Sequence, residues 1–140
     1  MSDEMQTYIG TKEIKAKPMT RGEFVDYTNG SGFREGDLPE DEGYLVEYLD
    51  SPNSNHDNHE NYISWSPKDV FYRAYQVAET YQDRMKIEMQ DLETKYRKLN
   101  NFIKSDSFYK DVNAIDQHLL IIQRTTMKSL LHILSAREAL

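Results

Sequence analysis

Three cations in the C-terminal quarter have the spacing that chemistry needs. Arg124, Lys128 and His132 stand four residues apart, so on a helix they stack along one face. A long cation beside an apolar stripe can lay its stem on buried surface and keep its charged head at an edge. An anion held there would meet two fixed charges and one titratable group. The plainer alternative is a solvated basic face neutralised by Glu88, Asp91 and Glu93 of the preceding helix. Phe102, Phe108 and Tyr109 form a second resource, close in sequence to Lys104 and Lys110. Aromatics beside cations can stack a purine and hold its phosphate, or they can simply plug the end of a helical hairpin.

Elsewhere the chemistry is thinner. The run His56, Asp57, His59, Glu60 contains metal-ligand types, but its spacing matches no zinc motif and no further His or Cys is near. A solvated hairpin loop of turn formers accounts for it. There is no glycine-rich phosphate loop, no nucleophile elbow and no paired-carboxylate motif. The residues therefore point away from an enzyme, and to no cofactor or metal.

The elements that must position these residues form two regions, 1–66 and 67–140. In the first, "YIGTKEIKAKPM" alternates loosely up to Pro18 and reads as a strand. Thr20 and Glu23 have capping-box spacing, which predicts a short helix over 21–28. "YLVEYL" and "YISW" should pair as an antiparallel hairpin across the polar loop, with Trp65 anchoring the sheet to the helix that follows. In the second region, Ser66 and Pro67 predict a helix start, and no Gly or Pro interrupts the chain to about Lys104. Met85, Met89, Leu92, Tyr96, Leu99 and Ile103 make a heptad seam. An upstream seam through Phe71, Ala74, Ala78 and Tyr81 joins it with a stutter near Met85. A second helix over about 113–139 has Asn113 as N-cap. Its broad stripe of Ile115, Leu119, Ile122, Met127, Leu130 and Leu134 can face two partners at once. The expected fold is α+β: a small antiparallel β-sheet with a short helix, then a long two-helix antiparallel hairpin, oligomeric.

Composition bounds the rest. The chain has 140 residues, 38% of them hydrophobic and 29% charged, so its core is modest and a second copy is the natural cover for surplus apolar surface. A net charge of −7 disfavours long nucleic acid as a partner yet leaves room for a small anion. No apolar run is long enough to cross a bilayer, and "MSDEMQTYIG" lacks a signal-peptide core. With no cysteine, a reducing cytoplasm is the expected compartment.

Two stretches carry a family resemblance. "YIGTKEIKAKPMTRGEF" and "EDEGYLVEYLDSPNSNHDNHENYISWSPKDVF" resemble an N-terminal module common in small phage proteins. "LNNFIKSDSFYKDVNAIDQHLLIIQRTTMKSLLHIL" resembles a phage-associated helical-hairpin family. Together they resemble the phage Thoeris anti-defence proteins of the first type. That resemblance implies a sponge in the cytoplasm of an infected bacterial host. It would bind the cyclic ADP-ribose signal of TIR-domain defence, uncleaved, in pockets between subunits; some members also take cyclic oligonucleotides. It further implies ligand-binding roles here for Phe102, Asn113, Arg124, Lys128 and His132, with Phe102 stacking on the base. Lys128 and His132 stand where family arginines would meet the diphosphate; neither has a planar fork, which Arg124 one turn earlier supplies. The competing expectation is a phage inhibitor that blocks a host defence complex through an acidic helical surface.

Overall fold

In the computed structural model, residues 4–30 and 33–140 are described. The chain divides into two compact units, Met1–Tyr75 and Gln76–Leu140.

The first unit is built on a three-stranded antiparallel sheet in the order β1-β2-β3. Strand β1 is Ile14–Pro18, β2 is Gly43–Tyr48 and β3 is Ile63–Pro67. The hairpin expected from "YLVEYL" and "YISW" is present, with Leu45 opposite Trp65 and Val46 opposite Ser64. Helix α1 (Arg21–Tyr27) opens on the expected capping box, in which the Thr20 hydroxyl accepts from the Glu23 amide and the Glu23 carboxylate accepts from the Thr20 amide. Buried Met19, Leu45 and Ile63 pack with Phe24 and Tyr27 of α1 to form the core on this side. Trp65 is anchored, but to the chain before α1 rather than to the helix after β3: its indole N–H donates to the Met19 carbonyl at 2.7 Å. Helix α2 (Lys68–Ala74) packs on β2 and β3, where Phe71 stacks on Tyr44 with ring centroids 3.9 Å apart.

Two helix-start expectations are corrected here. Ser66 and Pro67 belong to β3, and Pro67 itself is the N-cap, with no side-chain cap bond. The helix does not run on to Lys104. It stops at Ala74, because Tyr75 is extended (φ −134°, ψ 145°), and the boundary between the units falls after α2 instead of before it. The apparent stutter near Met85 is thus a helix end followed by a new start, and Phe71 serves the sheet rather than a helical seam.

The second unit begins with α3 (Tyr81–Ile103), whose N-cap Thr80 shares a reciprocal capping box with Asp83. The heptad seam of α3 is present as expected: Met85 and Ile103 are buried, and Met89, Leu92, Tyr96 and Leu99 are half-buried. A short helix α4 (Asp106–Asp111) caps the turn with a fully buried Phe108, followed by α5 (Ala114–Glu138), which packs along α3. Asn113 is the N-cap of α5 as predicted, its amide oxygen accepting from the Asp116 N–H at 2.9 Å.

The stripe on α5 is resolved into two faces. Leu120, Met127 and Leu131 are half-buried and Leu134 is buried, in register with half-buried Gln117 and Arg124 at alternating steps of three and four. Ile115, Leu119, Ile122 and Ile133 instead lie on the opposite side, 74%, 57%, 58% and 55% exposed. The sequence pattern had merged the two because both sets recur at helical spacing.

Candidate functional site

Arg124 sits in the α3-facing register of α5, and its position follows from the heptad step rather than from the edge expected of it. Its Nη1 donates to the Asn100 side-chain oxygen of α3 at 3.2 Å. Asn100 lies two residues before Phe102, so the guanidinium is drawn toward the aromatic end of the hairpin. An Arg side chain on a helix leans toward the N-terminus, which is the geometry this bond uses. Phe102 is 39% exposed and meets the fully buried Phe108 edge-on, with centroids 5.8 Å apart. Phe108 is also edge-on to Tyr109 at 4.9 Å. Of the two roles open to these aromatics, Phe108 fulfils the plug, while Phe102 keeps an exposed flank.

The three cations do share a face, but they do not converge within one chain. Each step of four residues is about 6 Å of rise, so His132 lies roughly 12 Å beyond Arg124 and away from Phe102. Asn113 stands at the start of the same helix, about 28 Å of rise from His132. The five predicted residues therefore trace a line along α5 and its N-terminal end, not a pocket.

The expected neutralisation of this line is not found. Among the described residues no carboxylate pairs with Arg124, Lys128 or His132; Asp91 pairs instead with Lys95 on its own helix at 2.8 Å. The charge is also unevenly divided along the sequence. Residues 1–75 hold 15 acidic and 7 basic residues, whereas residues 76–140 hold 9 and 10. The helical unit is thus marginally basic, and the excess negative charge lies in the sheet unit.

Two shallow clefts among the described residues of the sheet unit are lined by no predicted site residue. One, of about 420 Å³, lies among Met19, Thr20, Glu42, Tyr44, Lys68 and Tyr72. Two of its charged groups pair with each other: Lys68 Nζ meets a Glu42 oxygen at 2.8 Å, which holds the Glu42 carboxyl below its usual range and raises Lys68. The Tyr44 and Tyr72 hydroxyls are paired at 2.9 Å, a bond that raises the Tyr44 phenol. The other cleft, of about 400 Å³, is lined by Tyr27, Thr28, Asn29 and residues 55–58. Here the structure corrects the expectation of a merely solvated loop. Asn55 bonds both the carbonyl and the amide of Ile63, His56 stacks on Tyr27, and His59 bridges Glu47 and the Tyr27 hydroxyl. Among the described residues no three His, Asp or Glu side chains gather to hold a metal ion.

Among the described residues, α5 thus carries a line of basic side chains with no carboxylate partner, and exposed Phe102 stands near its start. Residues 79–140, the stretch that holds α3, α4 and α5, are similar to the Sequestin family. No curated protein and no solved structure showed a significant match to the chain.

Proposed function

We propose that the protein is a phage anti-defence sponge that holds a cyclic ADP-ribose signal (glycocyclic ADP-ribose) of TIR-domain immunity, uncleaved, in the cytoplasm of the infected host. Cyclic oligonucleotides of a second defence system fall within the same reading, since they offer the same phosphates and bases. The observation that carries it is Arg124: half-buried in the helical seam, tied to the neutral Asn100 amide, and without a carboxylate partner among the described residues. Charge-assisted bonds from an unpaired guanidinium to phosphate are among the stronger polar contacts available. Phe102 supplies a base-stacking face, and Lys128 and His132 extend the cationic line.

Because that line does not close on itself in one chain, the pocket is completed by a second copy. The exposed face of α5 offers the means, and the reading therefore includes a homo-oligomer. The sheet unit is the reusable phage module of the resemblance. The competing reading, a blocker that works through an acidic helical surface, is disfavoured by the marginally basic helical unit.

The test is capture and release. Product of a TIR enzyme is incubated with the protein, filtered, and recovered after heating. The expected result is depletion before heating and intact signal afterwards; no depletion overturns the function. An Arg124→Ala, Lys128→Ala double variant should lose at least tenfold in capture, about the worth of one charge-assisted phosphate contact. Unchanged capture by that variant rejects the site and leaves the function standing.

A further inference from the structure

In the sheet unit, side chains from β2, the β2–β3 loop and α1 form a chain of hydrogen bonds that the nucleotide reading does not use. One Glu47 oxygen faces His59 Nδ1 at 2.5 Å, and the other accepts from the Asn61 amide at 2.9 Å. Those two bonds, the first above all, hold the Glu47 carboxyl below its usual range, so near neutral pH it is ionised and can only accept. His59 Nδ1 therefore carries a proton. In the neutral imidazole Nε2 is then a bare acceptor, and the Tyr27 hydroxyl 2.7 Å away donates to it. A hydroxyl, a base within hydrogen-bond reach and a carboxylate orienting that base are the parts that activate a nucleophile. The Tyr27 ring is also held in place. His56 stacks flat on it, with centroids 4.4 Å apart and planes 5° from parallel. Lys17 Nζ lies 5.8 Å from its centre, a positive charge that favours negative charge building on the phenol. Tyr27 is half-buried and lines the cleft of about 400 Å³ together with Thr28, Asn29 and residues 55–58.

We propose that Tyr27 is an acceptor site for acyl transfer from a neutral acyl donor, with His59 as its general base and Glu47 positioning His59. In that step Tyr27 Oη forms a bond to the acyl carbon, and its proton passes to His59 Nε2. The bond from the acyl carbon to the leaving group breaks with its electron pair. The departing group takes the proton from His59, and an aryl ester remains on Tyr27. The step modifies the chain once and is not a turnover. A neutral donor is favoured over a phosphoryl or sulfuryl donor because Asp57 lines the same cleft and residues 1–75 hold 15 acidic against 7 basic residues. The site shares no residue with the proposed nucleotide site, so either can fail without the other.

The experiment treats the full chain with limiting N-acetylimidazole at about pH 8, the upper end of the ordinary imidazole range. Hydroxylamine-sensitive O-acetylation is followed at each of the ten tyrosines by peptide mass spectrometry. General-base assistance is worth about 10²–10⁴-fold, so Tyr27 should react at least about tenfold faster than Tyr8 and Tyr109, although these are 83% and 67% exposed. His59→Gln should slow Tyr27 by at least about tenfold, and Glu47→Gln should slow it less. Ring nitrogen shifts of wild-type His59 should place its proton on Nδ1. Tyr44, stacked on Phe71, reports whether the sheet is intact in each variant, since its own rate rises if the sheet opens. A wild-type Tyr27 no faster than Tyr8 overturns the site, as does a Tyr27 rate unchanged in an intact His59→Gln or a His59 proton found on Nε2. Where His59→Gln opens the sheet, the wild-type ranking of the tyrosines decides.

Discussion

At the level of single residues, this chain places its sharpest packing constraints in the sheet unit, and the proposed site lies in the helical one. Gly43 shows the first. A Cβ there would lie 2.3 Å from the Ser66 carbonyl oxygen and 2.4 Å from the Trp65 ring, so any side chain must displace backbone as well as the indole. Gly43→Ala is expected to cost about 2–3 kcal/mol, in the range of overpacked sites, visible as a lower midpoint in urea unfolding. Glu47 gives a pH dependence. Hydrogen bonds from His59, and then from Asn61, hold its carboxyl below the usual range. A carboxyl depressed by folding stabilises the fold fully above its unfolded value, about 4.3, and that contribution disappears as pH falls through the lower, folded value. The loss therefore belongs below about pH 4, and Glu47→Gln should flatten that part of a melting-temperature profile against pH. Arg124 was legible in sequence as a cation on a helix face. Its place in the helical seam, bound to Asn100, was not, because spacing gives the angle around α5 but not which side meets α3.

Among the elements, local signals read well where a single residue decides and poorly where two alternatives share a pattern. Thr20 with Glu23 and Asn113 with Asp116 marked real helix starts, since a cap is a two-residue event with its own chemistry. The same signal at Thr80 and Asp83 was overlooked beneath a helical periodicity that seemed to continue from Phe71. That periodicity was coincidental: Phe71 packs on Tyr44, and the chain turns extended at Tyr75. The polar loop looked unstructured because most of its residues are turn formers. Its order comes from contacts to α1, β2 and β3 such as Asn55 to Ile63, which no local pattern reveals. Thr80→Ala removes the acceptor for the Asp83 amide and should cost about 1 kcal/mol of helical-unit stability. Hydrogen exchange should show the loss as fraying confined to the first turn of α3, with Met85 and beyond protected. Loss of protection along the whole helix would mean that the cap holds more than its own turn.

For the whole molecule, the decisive feature is that α5 is apolar on two sides. One side is covered by α3; the other runs from Ile115 to Ile133, about 27 Å of rise, and is open. The polar residues along it do little to interrupt the stripe, because the Thr126 hydroxyl is turned back to the Ile122 carbonyl at 2.9 Å. Ser129 likewise donates to the Thr125 carbonyl at 3.1 Å. Under the proposed homo-oligomer this exposed stripe is the face that a second copy would cover, closing the cationic line into a pocket. Introducing charge into the middle of that stripe, as Leu119→Glu with Ile122→Glu, leaves the α3-facing register untouched. The helical content by circular dichroism should therefore be retained while light scattering moves from a multiple of 16.5 kDa to the single-chain mass. Signal capture should fall with it, although Arg124, Lys128 and Phe102 are unaltered. A variant that becomes monomeric yet captures signal at full strength would place the whole binding site within one chain and remove the second copy from the mechanism.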